Sequence, residues 1–256
     1  MDLKLYDGGD ISANYIYLAL TNYAEAIYLR NVENTAPTPT RLYNNAVCIE
    51  GSRSTSTSYG LSLTKVAKYL DVANNTFYTA CSNAVPMIVK KAPVQLQVRN
   101  NICYNDSNGL TWQMSGAWGD SVRFCTNLLY TRGTTLARLS ADDIPALSDW
   151  ATAVGDMTTI SEQVAFRDST LNLTAQGNLQ AAEPISYLTT DIVGTSRAAT
   201  PTIGAYEWIA GTETTIGQTD ESEVNTTRGI IRKVLRNGHL YIIRSDKQYD
   251  LMGRER

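Results

Sequence analysis

The sequence predicts an all-β chain: a right-handed parallel β-helix (solenoid) followed by a small antiparallel β-sandwich-like C-terminal module. Three observations lead there. The segments RLYNNAVC, LDVANNTFY, LQVRNNICY and RFCTNLLY place an asparagine at the same point of a short extended unit, at Asn45, Asn75, Asn101 and Asn127, spaced by 30, 26 and 26 residues. A period of that size means one structural unit per repeat, stabilised only by its neighbours. Within the units Leu70, Val72 and Asn74 alternate with Tyr69, Asp71 and Ala73, and Leu96, Val98 and Asn100 alternate with Gln95, Gln97 and Arg99, which is the period of two expected of strands. Finally, the tail IIRKVLRNGHLYIIRSDKQYDLMGRER joins two apolar runs through Asn237 and Gly238, the pair favoured in a type I′ hairpin turn.

Taken in chain order, LKLY and YIYLAL already read as strands, with a weaker earlier repeat position at Asn22. So early a start leads to the expectation that coils or a leader precede Met1, because an uncapped first coil exposes an edge that invites pairing. From there the repeat units stack about 4.8 Å apart, like residue upon like. A corner asparagine combines tolerance of the left-handed backbone conformation with an amide that bonds the next unit, so Asn45, Asn75, Asn101 and Asn127 form a structural ladder. Ordinary NN turns in an antiparallel sheet are the alternative. In this register Cys103 aligns with Val47, Phe77 and Leu129, a core column. Cys48, Cys81, Cys103 and Cys125 have no CxxC pairing and His239 is the single histidine, so no zinc site is expected; a Cys103–Cys125 disulfide is a minor alternative.

After Tyr130 the pattern changes. LSADDIPALSDWATAVGD offers Ser140 as an N-cap, Asp143 three residues on, and apolar Ile144, Leu147, Trp150 and Val154, which predicts a short helical insertion near 140–155. Asp142, Asp143 and Asp149 suit helix capping and dipole complementarity, with a Ca2+ site as the alternative. EQVAF, LNLTA and PISYLTT again look like strands. The β-helix is assigned to 1–210, a Thr-, Gly- and acid-rich linker to 211–228, and the β module to 229–256, where Leu235 faces Leu240, Val234 faces Tyr241, and a further strand lies near Tyr249 to Met252.

Composition bounds the function. Of 256 residues 43% are hydrophobic, enough to fill a core, and only 18% are charged; Tyr (15) far exceeds Phe (3), as in a polar, hydrogen-bonding β surface. A net charge of −3 provides no basic stripe, so no nucleic-acid partner is expected. No run of 18 apolar residues is present, so no membrane span is expected.

Asp191, Gly194 and Arg197, followed by Pro201, Ile203, Gly204, Ala205, Tyr206 and Glu207, give TDIVGTSRAATPTIGAYEW a resemblance to the D-x-x-G-x-x-R…P-x-I-G-A-Y-E ending of secreted right-handed β-helix proteins related to pectate lyases, common in Bacteroidetes. SDWATAVGDMTTISEQVAF resembles the tryptophan helix and short strand that precede it in that family, so the resemblance covers roughly residues 15–210. It implies the architecture and a secreted or cell-surface location, and leaves activity open, since lyases, hydrolases, adhesins and non-catalytic modules share the fold. The tail resembles the C-terminal sorting domain of the type IX secretion route, which implies the secretion machinery as a partner. Physically, the ending reads as a terminal cap, with Asp191 accepting backbone or Arg197 hydrogen bonds and Tyr206 and Trp208 covering the last coil; an Asp191/Glu207 catalytic pair is the sharper alternative.

Chemistry is sought on the outward faces. Aligning the corner asparagines places Arg41, Asp71, Gln97 and Arg123 in one outward column and Tyr43, Ala73, Arg99 and Cys125 in the next. One acid, Asp71, stands against Arg41, Arg99 and Arg123. Inverting hydrolysis wants two acids about 6.5–9.5 Å apart, and a calcium-dependent lyase wants an acidic cluster. No catalytic residue or resident cofactor is therefore assigned. Arg41, Tyr43, Asp71, Gln97, Arg99 and Arg123 suit glycan binding through bidentate bonds and ring stacking, against the alternative of a solvated face with an Arg41/Asp71 ion pair. The expected function is a non-catalytic secreted or cell-surface module binding a polysaccharide or cell-surface glycan, or serving a structural or adhesive role. The alternatives are a polysaccharide lyase or glycosidase whose catalytic residues lie partly in missing N-terminal coils, and a phage or appendage component.

Overall fold

A computed structural model describes residues 2–6, 8–19, 23–34, 38–51, 56–81, 83–116, 119–168, 172–176, 179, 181–208, 231–236, 239–244 and 247–250. Strands dominate it, and most of them pair in parallel. An eleven-stranded sheet contains two rows. One row runs Asp2–Tyr6, Glu25–Glu33, Ser58–Ala73, Ala84–Val89, Trp112–Met114 and Ala137–Leu139, with Asp142–Ile144 added antiparallel. The other runs Gly9–Ser12, Thr40–Tyr43, the far end of the same long strand Ser58–Ala73, Val94–Arg99 and Val122–Cys125. A separate five-stranded sheet stacks Tyr15–Ala19, Ala46–Glu50, Thr76–Thr79, Ile102–Asn105 and Leu128–Thr131. In chain order each pass visits the second row, then the five-stranded sheet, then the first row.

Alternation along these strands sends one side chain in two into a shared interior. Leu42, Val72, Val98 and Phe124 line up across one row, Val47, Phe77, Cys103 and Leu129 across the five-stranded sheet, and Leu61, Met87 and Trp112 across the other row. All belong to one hydrophobic core. The helix Leu147–Val154 adds Trp150, fully buried, whose ring meets Phe124 at 4.8 Å and Trp112 at 6.4 Å edge-on. Truncating so large a plug costs about 3–5 kcal/mol. The four cysteines are free and buried, so the Cys103–Cys125 alternative is excluded.

The corner between the second row and the five-stranded sheet divides between two neighbours the work expected of one asparagine. The first of each pair takes the left-handed backbone: φ is +51° at Asn44, +49° at Asn74 and +57° at Asn100, with Thr126 at +51° and Ala13 at +54° in the same place. The second makes the cross-strand bonds. Asn75 donates from its backbone N–H (3.0 Å) and from Nδ2 (2.9 Å) to Asn101 Oδ1, while its own Oδ1 accepts the same two bonds from Asn45. Asn101 repeats this onto Asn127. At the far end Asn127 N–H finds Thr159 Oγ1, and at the near end Asn14 donates to Asn45 Oδ1. The earlier rung is thus Asn14, 31 residues before Asn45; Asn22 lies outside the described residues.

Three local expectations are corrected. Ser140 does not cap a helix: with φ +59° it opens a two-residue turn joining Ala137–Leu139 to Asp142–Ile144, and Arg138 lies opposite Asp143 across that hairpin. Residues 142–144 are therefore strand, because Ile144 and Leu139 both reach the core from it, and the helix starts only at Leu147 behind Ala146, with no side-chain cap bond. Gly155, left-handed at φ +69°, ends it. PISYLTT is not a strand either; among the described residues it holds only a turn and an isolated bridge at Thr190. In the tail Leu235 pairs with Leu240 and Val234 with Tyr241 within Ile231–Arg236 and His239–Arg244, and Lys247–Asp250 adds a third antiparallel strand. The first of these strands approaches Tyr15–Ala19. Asn237, Gly238 and the 211–228 linker lie outside the described residues.

Candidate binding cleft

Residues 181–208 form a strap laid across the corner, and its attachments explain why the first position of each NN pair is asparagine and not glycine. A left-handed residue needs only a tolerant backbone, but an asparagine there also has an amide to offer. Asn44 Nδ2 donates to Thr190 O (2.8 Å), Asn74 Nδ2 to Thr202 O and Gly204 O (3.2 and 3.3 Å), and Asn100 Nδ2 to Glu183 O (2.8 Å), with Glu183 N–H returning to Asn100 Oδ1. The strap comes close to the sheet at Gly204, φ +98°, where a Cβ would stand 2.6 Å from Ile102 Cδ1. Ile203, Ala205 and Tyr206 then pack against Ile102 and Tyr104 on the outer face of the five-stranded sheet.

Asp191, Arg197 and Glu207 hold the strap's own shape. Asp191 accepts the backbone N–H groups of Val193, Thr195 and Glu207. Arg197, almost wholly buried, donates to Glu207 Oε2 at 3.2 Å, to Asn44 Oδ1 at 2.7 Å and to the carbonyls of Thr202 and Gly204. Arg197 therefore bonds Glu207 and not Asp191. With both acids buried and their oxygens engaged, the pair is built into the fold, which removes it as a catalytic couple. The strap covers the outer face of the sheet and not the last strand alone.

The strap also brings a residue to the outward columns that the repeat register could not place. Arg41, Asp71, Gln97 and Arg123 are register partners, as are Tyr43, Ala73, Arg99 and Cys125. In the second column only Tyr43 and Arg99 keep partial exposure, because Ile185 and Leu188 of the strap cover Ala73 and Cys125 is buried. Between them, Tyr187 donates its hydroxyl to Asp71 Oδ2 at 2.7 Å, and Arg99 grips the same carboxylate bidentately, Nε to Oδ1 at 3.1 Å and Nη2 to Oδ2 at 2.5 Å. The expected Arg41/Asp71 ion pair is thus replaced. Arg41 instead lies over the Tyr187 ring, its Cζ 4.3 Å from the centroid, and Tyr43 meets that ring edge-on at 5.5 Å while donating to Asp10.

A cleft of about 400 Å³ opens here, lined by Pro39, Arg41, Tyr69, Asp71, Gln97 and Arg99 with Gln95 and Tyr187. A smaller recess of about 40 Å³ continues it between Gln97, Arg123 and Glu183. Two of the lining residues, Tyr69 and Gln95, stand at φ +53° and +52°, where a bulky side chain is held only by its surroundings. Burial, reinforced by the negative Asp71, holds the Tyr187 phenol well above its ordinary range, so it stays a hydrogen-bond donor. Among the described residues Asp71 is the carboxylate that lines the larger cleft, and both of its oxygens are occupied. Among the described residues no three or more His, Cys, Asp or Glu side chains come together in a group that could hold a metal ion. The arrangement can present guanidinium and amide donors from Arg41, Gln95 and Gln97; the Tyr187 hydroxyl hydrogen is committed to Asp71, and Glu183 in the smaller recess is a further carboxylate. Tyr187 gave no sequence signal: it lies 116 residues from Asp71, outside the repeat.

Neither family models, curated proteins nor solved structures contain a match to this chain. No described helix is long and apolar enough to cross a membrane.

Proposed function

We propose that this chain is a right-handed parallel β-helix module, secreted or displayed at the cell surface, that binds a glycan in the Arg41–Tyr187 cleft without cleaving it. The β-helix reading is supported by the strict visiting order of the three strand rows and by their in-register parallel stacking. The binding reading rests on one observation: guanidinium and amide donors are fixed around a cleft whose lining carboxylate among the described residues, Asp71, is already occupied. Saccharide hydroxyls suit such donors, and the wall at Tyr69 adds a ring against which C–H faces can pack. Gln97 and Arg123 would extend contacts along the column.

The test is an immobilised glycan panel probed with the parent, Arg41→Ala and Tyr187→Ala. Retention of one glycan class by the parent, weakened in both variants, is expected. A parent that retains nothing, or three identical profiles, would overturn the reading, and release of shortened or unsaturated products would replace it with the lyase or glycosidase alternative. For the tail we propose the sorting role. Deleting 224–256 should abolish surface delivery in a host with that machinery. Normal display of the truncated protein would refute it.

A further inference from the structure

The strap meets the corner at two points that bracket Tyr187. On one side Asn100 holds Glu183 through a reciprocal pair of bonds, and on the other Asn44 holds Thr190. Asn44 and Asn100 stand on either side of Asn74 in the stack, since each backbone N–H bonds the carbonyl of, or just before, the next corner: Asn44 N–H to Asn74 O, Asn74 N–H to Arg99 O. Two strand spacings of about 4.8 Å therefore separate the anchors, roughly 10 Å. The strand between them ends at Asp71–Ala73, and Tyr187 reaches that strand's Asp71. Between the anchors the strap makes a turn, Leu188 N–H to Ile185 O, with Ile185 and Leu188 seated on Ala73. Where the strap does not run, the same left-handed position carries Ala13 or Thr126 instead of asparagine.

We infer that Asn44 and Asn100 are positioning residues for the cleft: they suspend the strap by its two ends so that Tyr187 is held over Asp71 and under Arg41. This deepens the binding reading above and rests on it for its consequence, since a slack strap removes Tyr187 from the wall of the cleft and leaves Arg99 as the only partner of Asp71. The repeat itself supplies the device. An NN pair uses its second asparagine to tie strand to strand and its first to tie the stack to the strap.

Asn44→Gly and Asn100→Gly test this, because glycine keeps the left-handed backbone at no steric cost and deletes the amide, with its bonds to Thr190 and Arg197 in the first case and to Glu183 and Asn74 in the second. Thr126→Gly is the control, at the same corner position beyond the strap. Two readouts are taken on the full chain. Hydrogen exchange of the 183–190 amides should quicken at least about two- to tenfold in both asparagine variants, since one lost hydrogen bond gives that factor and each variant loses more than one, while the 102–105 and 128–131 strands exchange as in the parent. The Tyr187 phenol, assigned by its absence in Tyr187→Phe, should titrate closer to the ordinary value of about 10 in both. Either readout unchanged in either variant overturns the two-anchor assignment, as does an equal response in Thr126→Gly or equal quickening throughout the strands. Neither readout needs a glycan, so an empty glycan panel would overturn the binding reading and leave this one standing.

Discussion

Asn75→Ala should be among the most damaging single substitutions in the chain. The side chain is completely buried and engaged on every side: Nδ2 donates to Leu42 O (2.8 Å), Ala73 O (3.1 Å) and Asn101 Oδ1 (2.9 Å), and Oδ1 accepts from Asn45 N–H (3.0 Å) and Asn45 Nδ2 (2.8 Å). Alanine strips the Asn45 N–H of its acceptor and leaves Asn45 Nδ2 with only the carbonyls of Ile11 and Tyr43. A buried backbone donor left unpaired costs about 1–3 kcal/mol, and three donated bonds of modest net worth disappear with it. The sum is about 2–5 kcal/mol, at the upper end of what point substitutions do. Asn14→Ala removes a rung that only donates, at the partly exposed end of the ladder, and should cost about 0.5–1.5 kcal/mol. Urea unfolding of both variants at matched m-values reads the difference. Equal midpoints for the two, or an Asn75→Ala midpoint equal to the parent's, would show that the asparagine column does not bear the load assigned to it.

Two further outcomes follow from the same geometry. Gly204→Ala should destabilise by about 1–3 kcal/mol, since its Cβ would meet Ile102 Cδ1 at 2.6 Å and Thr76 Oγ1 at 2.8 Å at a backbone angle of φ +98°; an unchanged denaturation midpoint would mean that the strap does not seat there. Asp143, exposed, is held below the usual carboxylate range by the hydrogen bond from Arg138, so its contribution is complete above that range and is lost as pH falls through its folded-state value. Arg138→Ala should therefore move the Asp143 titration up toward about 3.9 by carboxyl NMR, and no movement would refute the pairing.

The stacked strands were legible in the sequence because they obey local rules repeated at a fixed distance. Asn45, Asn75, Asn101 and Asn127 set the register, and the alternation of Leu70, Val72, Leu96 and Val98 set which face turns inward. What failed to read was non-repetitive. Ser140 has the residue type of a cap and a carboxylate three positions on, yet core contacts of Leu139 and Ile144 bind the segment as a hairpin, tertiary packing overriding local propensity. Asn14 escaped notice because a single asparagine before Tyr15 lacks its NN partner and stands 31 residues from Asn45, close to the one irregular spacing in the set. In the cleft, Arg41 and Asp71 were rightly placed as neighbours but wrongly paired. Adjacency in a column settles which residues can meet, while the choice of partner was decided by Tyr187, which arrives from outside the repeat.

That division has a consequence for how such a chain can change. The ladder asparagines and interior columns answer to every neighbouring strand at once, so each is fixed by several simultaneous demands: volume, hydrogen bonding and register. The strap answers to a few amide clasps, a buried Arg197–Glu207 pair and the seat at Gly204. A substitution at Tyr187 changes the wall of the cleft from outside the repeat, whereas one at Asp71 or Arg99 changes a stacked strand as well. The wall of the cleft can therefore be varied through Tyr187 at less cost to the stacked strands than through the columns, provided that the first asparagine of each pair stays in place.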